Sequence, residues 1–89
     1  MKNKDNGYEL KNDLKKIRKR LDITQEELAN AIGVQKAYYS RLERGQFIPN
    51  IKTCLMIHEA MLILYFDRTG KHLEKLTINR LFYLEKTER

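Results

Sequence analysis

Cysteine is almost missing from this chain. Cys54 stands alone among 89 residues, so no intramolecular disulfide can form. That suits a reducing compartment, and a cytoplasmic location is the expectation. Glycine is also scarce: there are four, and none builds the clustered loop that cradles a nucleotide phosphate. Long apolar runs are lacking. The longest covers residues 60–66, well short of the roughly 20 residues of a membrane helix, so no membrane partner is expected. The N-terminal MKNKDNGYELKND has no apolar centre for a signal peptide. Histidine is limited to His58 and His72, neither beside a nucleophile or an acid pair. Catalysis therefore finds little support, and no enzyme is expected. Cys54 and His58 share a helix face at i, i+4 spacing. Two ligands do not make a zinc site, which takes four, or three plus water. The expectation is no metal and no cofactor.

What is present is positive charge, unevenly placed. The net charge is +6. Residues 1–21 hold eight Lys/Arg against three acids, whereas residues 22–61 hold four against five and residues 62–89 six against four. The basic excess sits at the N-terminal end. It can lie along phosphates and add sequence-blind affinity, or it can simply keep the chain in solution. A chain of this length makes one domain with one modest core.

The most informative stretch is residues 24–45, TQEELANAIGVQKAYYSRLERG. Thr24 can cap a helix, and Glu27 three residues later completes a capping box. Glu26 and Glu27 suit the positive end of a helix dipole. Leu28, Ala29 and Ile32 fall on one helical face, and Gly33 ends the run where a left-handed residue is cheap. A second helix then runs from about Gln35 to Arg44, with Tyr39 and Leu42 inward and Gly45 as its stop. Adjacent helix positions point about 100° apart, so of Tyr38 and Tyr39 one is expected in and one out. The outward face carries Gln35, Lys36, Ala37, Tyr38, Ser40, Arg41 and Arg44. Lys and Arg can donate to guanine O6 and N7, Ser can meet several base edges, and Ala can meet a thymine methyl. A basic face of this kind is also often no more than a solvated surface.

Read with its flanks, the chain resembles the Cro/C1-type (phage repressor, Xre-like) helix-turn-helix family. The matching pieces are L14xxI17RxxL21xI23TQEELA, IGV at 32–34, YSRLERG at 39–45, Pro49, and the L55xI57xxAM run. The resemblance implies a mostly α, compact, lambda-repressor-like bundle of about five helices. It implies that double-stranded DNA is the partner. By position, Gln25 would touch phosphate, Lys36, Ala37 and Arg41 would face bases with Ser40 near them, and Gln35, Tyr38 and Arg44 would lie at or near the backbone. Arg18 and Glu43 match a pair that ties the first helix to the end of the recognition helix. Gln35 and Lys36 depart from the commoner Ser–Arg start, so operator preference does not transfer from a relative.

Around this unit, residues 1–7 read as a disordered basic arm, and a first helix is expected from about 8 to 21. Its inner stripe would be Leu10, Leu14, Ile17 and Leu21, and its outer face Lys11, Lys15, Lys16 and Lys19. Pro49 keeps Ile48 extended, and Asn50 can cap a fourth helix. The DNA-binding domain is expected at 8–61, with a dimerisation extension at 62–89. Within it, T77INRLFYLEK86 resembles the family's last helix, and residues 62–74, LILYFDRTGKHLE, look like an insertion. Two readings compete. In the preferred one LILYF and residues 72–78 form a β-hairpin about the Asp67–Gly70 turn. In the other the fourth helix continues to about Thr69 and Gly70 ends it. Either leaves apolar surface that a second copy would cover, so a homodimer is expected through Leu62, Leu64, Tyr65 and Phe66.

The expected function is a sequence-specific transcriptional regulator, a repressor that binds an inverted repeat as a homodimer. An antitoxin that meets a toxin or other protein partner and also binds DNA is the alternative. A helix-turn-helix that has lost DNA is a third reading, against which Lys36 and Arg41 argue.

Overall fold

The computed structural model describes residues 7–87. The expected arm at 1–7 lies outside the described residues except for Gly7. The described elements are β1 (Tyr8–Asn12), α1 (Leu14–Arg20), α2 (Gln25–Ile32), α3 (Lys36–Glu43), α4 (Ile51–Thr69), α5 (Ile78–Leu81) and β2 (Phe82–Lys86). The described residues are mostly α, with five helices.

Local chemistry sets the helix ends. Thr24 and Glu27 form the reciprocal capping box: Glu27 N donates to Thr24 Oγ1 at 3.0 Å, and Thr24 N donates to Glu27 Oε1 at 2.9 Å. At the far end of α2, Gly33 adopts φ +78°, and Val34 N returns to Ala29 O at 3.0 Å. The same closure ends α3, where Gln46 N bonds Arg41 O at 3.0 Å and Gly45 N bonds Leu42 O at 3.0 Å. Asn50 Oδ1 accepts from Thr53 N at 2.8 Å and starts α4.

One core gathers every element. Leu14, Ile23, Leu28, Tyr39, Leu42, Ile57, Met61 and Leu81 are completely or almost completely buried. Leu81 and Phe82 belong to the same core as the helices before them, and α4 runs across residues 61 and 62 without a break.

Two expectations need correcting. The first helix begins at Leu14, not near residue 8. Asn12 intervenes: its Oδ1 accepts from Leu14 N at 3.0 Å, an Asx-type start, and Asp13 N is drawn to Leu81 O at 3.0 Å. Residues 8–12 are instead a strand, paired antiparallel with Phe82–Lys86 in the register Tyr8↔Lys86 to Asn12↔Phe82. Leu10 and Lys11 are therefore ribbon residues. Lys11 Nζ lies 3.3 Å from Glu9 and 3.9 Å from Glu85.

The second correction concerns the insertion. LILYF and residues 72–78 make no hairpin; α4 continues to Thr69. Its inward stripe of Cys54, Ile57 and Met61 extends at helical spacing to Leu64, which packs on the same core. The glycine assigned to a hairpin turn is the helix stop: Gly70 adopts φ +71°, and its N–H bonds Phe66 O at 2.8 Å. Arg68 then reaches back from the last turn to the Asp22 carbonyl and the Glu27 carboxylate. The sheet that does form joins the two ends of the chain. A two-stranded ribbon is marginal alone, but burial of Phe82 and packing of Leu10 fix this one to the core.

Candidate nucleic-acid interface

α3 presents two unlike faces. Tyr39, Leu42 and Glu43 are buried, whereas Lys36, Ala37 and Arg41 are exposed. Gln35, before the first turn, and Arg44, after the last, are exposed as well. Ser40 is half-buried, and its Oγ accepts from Arg44 Nη1 at 2.7 Å. Tyr38 is half-buried with its ring 5.0 Å from that of Phe47. Of the two adjacent tyrosines one is thus in the core and the other at its edge.

The inward side of α3 is held by a buried carboxylate. Glu43 accepts from Arg18 Nε at 2.9 Å, Arg18 Nη2 at 3.1 Å, Gln25 Nε2 at 2.8 Å and Tyr39 OH at 2.9 Å. Arg18 also donates to Ile23 O at 2.9 Å. Arg18 and Glu43 are 7% and 8% exposed, so each charge relies on the other far more than on water. Burial pushes the Glu43 carboxyl up, but donations from Arg18, Gln25 and Tyr39 outweigh it and hold it below the usual range. The hydrogen bond to Glu43 raises the Arg18 guanidinium against its own desolvation, and burial pushes the Tyr39 phenol up. Arg18 and Glu43 therefore stay charged and Tyr39 neutral, in one unit that joins α1, α2 and α3.

The family resemblance implies the Arg18–Glu43 pair but not the two further donors, Gln25 and Tyr39. Tyr39 and Glu43 stand i, i+4 on one helix, a spacing that puts their side chains together. That signal was legible. The reach of Gln25 was not, because it depends on how α2 crosses α3. Gln25 places one amide hydrogen on Glu43 and keeps the other.

Beside this cluster lies an open hollow of about 500 Å³, lined by Arg18, Lys19, Asp22, Thr24, Gln25 and Lys36 among others. It sits where the free N–H groups of α2 begin. A second hollow is bordered by Asn12, Lys15, Lys16, Lys19 and Glu43. Lys19 borders both, so Lys15, Lys16, Lys19 and Lys36 edge the two hollows, together with the acids Asp13, Asp22 and Glu26.

The remaining candidates lie elsewhere. Leu64 packs on the core, Leu62 and Tyr65 are half-buried, and Phe66 is 43% exposed with its ring stacked 4.6 Å from His72. Cys54 is buried, and burial pushes its thiol up. His58 Nε2 sits 2.7 Å from Leu76 O. Among the described residues no group of three or more His, Cys, Asp or Glu could hold a metal ion, and no helix is long and apolar enough to cross a membrane.

Comparison with known proteins agrees with this geometry. Residues 14–62, more than half of the chain, match the family model described as Helix-turn-helix. The chain is similar to the uncharacterized HTH-type transcriptional regulator YgzD of Bacillus subtilis (strain 168), at 31% identity over 51 residues, which is 57% of this chain and 77% of the relative. No solved structure matches significantly.

Proposed function

Because this chain belongs to the Xre-like helix-turn-helix family, we propose that it is a transcriptional repressor that reads an inverted-repeat operator as a homodimer. The observation that carries this reading is the division of α3: its apolar side is locked into the core and its Lys36–Ala37–Arg41 side is free. A helix held in this way can enter the major groove as a rigid body.

In this reading Lys36, Ala37 and Arg41 face base edges, with Ser40 beside them. Gln35, Tyr38 and Arg44 lie at the sugar–phosphate backbone. Gln25 uses its remaining amide hydrogen on a phosphate at the start of α2, in the hollow that Lys19 and Lys36 flank. The Arg18–Glu43 pair makes no DNA contact; it sets the angle of α3. One recognition helix reads few base pairs, and a two-fold dimer doubles the site. Repression follows by occupancy, since a dimer on promoter DNA excludes polymerase.

Selection of bound sequences from random double-stranded DNA tests the proposal. The expected winner is a palindrome with half-sites about one helical turn, or a multiple of it, apart. An enriched site without dyad symmetry would remove the homodimer reading. No enrichment even at low salt would remove DNA reading altogether.

A further inference from the structure

We propose that the outward face of α4 docks on the same face of a second copy, antiparallel, about a two-fold axis between Leu55 and Met56. This rests on the homodimer reading above and adds its surface and register.

α4 carries apolar side chains on its inward and its outward side. Cys54, Ile57, Ala60 and Met61 face the core. On the opposite side, Ile51, Leu55, Met56, Ile63 and Phe66 are 69%, 50%, 37%, 52% and 43% exposed. Ile48, just before the helix, is 78% exposed. A stripe of large apolar side chains left open on a helix is a surface for a partner.

Charge selects the occupant and its direction. Lys52 and Glu59 are the two charged residues in this stripe, and both are exposed. They stand two turns apart on one line, and neither has an ion-pair partner among the described residues. A parallel pairing would set Lys52 against Lys52 and Glu59 against Glu59. An antiparallel pairing centred on residue 59 would set two carboxylates together on the axis. Centred between 55 and 56, the antiparallel pairing sets Lys52 of each copy against Glu59 of the other. In that register Leu55 meets Met56 at the axis. Beside that axis, Met56, Glu59 and Ile63 border a largely apolar groove of about 300 Å³ with Ala31, Ala60 and Leu64. One register thus pairs both charges and sets the exposed Leu55 and Met56 of the two copies against each other.

Charge reversal tests the register on the full chain. Sedimentation equilibrium at low salt should show a dimer for the wild type. Lys52→Glu and Glu59→Lys each place like charges face to face, and each should weaken the dimer at least tenfold. The double variant restores opposite charges and should return to within about threefold of the wild type. Far-ultraviolet circular dichroism checks that all three remain folded; these side chains are exposed, so folding should persist. A monomeric wild type at tens of micromolar, or a double variant as weak as the singles, would overturn the proposal. Sedimentation reports pairing without DNA, so it stands apart from the DNA reading. The dissociated variants should still shift a single half-site duplex, and a wild type that shifts no duplex would instead count against DNA binding.

Discussion

Glu43 is where a single residue decides most. Its carboxylate takes four hydrogen bonds from three side chains on three helices. Removing one partner of a buried ion pair costs about 3–5 kcal/mol, because the other charge is stranded. Glu43→Ala strands the Arg18 guanidinium, so urea unfolding should show a loss of about 3 kcal/mol. A loss under about 1 kcal/mol would mean that water reaches Arg18 and that the cluster does not fix α3. The pH dependence has a definite sign. The folded carboxyl is held below its ordinary value, so its contribution is complete above that value and fades as pH falls below about 4.5. The gap in stability between wild type and Glu43→Ala should narrow on acidification through that window. On the free side of α3, Arg41→Ala should relax sequence preference, whereas Lys16→Ala on α1 should weaken binding to all sequences alike. Mobility-shift titrations on matched and scrambled sites separate the two. An equal loss on both sites for Arg41→Ala would remove its base-reading role.

At the scale of elements, the longest helix carries the molecule's departure from a plain five-helix bundle. Gly70 ends α4 at φ +71°, and a Cβ added there meets nothing within 4 Å. Gly70→Ala therefore tests backbone strain alone. It should cost about 1 kcal/mol, read as a fall of roughly 4–8 °C in Tm for a domain of this size. No change would mean that the last turn of α4 is not held in the left-handed closure. The same glycine shows why the C-terminal third was harder to read. An Asp-x-x-Gly sequence after five apolar residues serves a hairpin turn and a helix stop equally well. Choosing between them takes the register of Met61 and Leu64 against the core, which is a tertiary fact. The helix-turn-helix was legible because its signals are local: Thr24 and Glu27 at cap spacing, Gly33 and Gly45 at helix ends, Leu28 and Ile32 on one face. The β1–β2 ribbon was hidden because its strands lie some seventy residues apart in sequence, and neither carries a nearby turn that points to the other. The start of α1 at Leu14 is hidden for a related reason. Leu10 fits the helical stripe that contains Leu14 and Ile17, and only pairing with Leu84 draws it into a strand.

For the whole molecule, the distribution of charge matters more than its sum. The net charge is +6, yet Lys15, Lys16 and Lys19 on α1 gather on the side where α3 and the start of α2 meet. If DNA lies along that side, these lysines sit at phosphates on either flank of the groove that α3 enters. Each phosphate contact releases counterions and adds about 0.9 to the slope of log affinity against log salt. Replacing all three lysines by glutamine would remove up to six such contacts from a two-fold dimer, a reduction in slope of up to about 5. The ratio of operator to scrambled-site affinity should hardly move, because phosphate contacts position the protein without reporting sequence. Titrations of both duplexes by fluorescence anisotropy across a salt series measure slope and ratio in one experiment. A slope that stays at the wild-type value would mean that the α1 lysines face open solvent and keep the chain dissolved. A fall in the ratio with no fall in the slope would place one of them at a base edge, beyond the helix to which sequence reading is assigned.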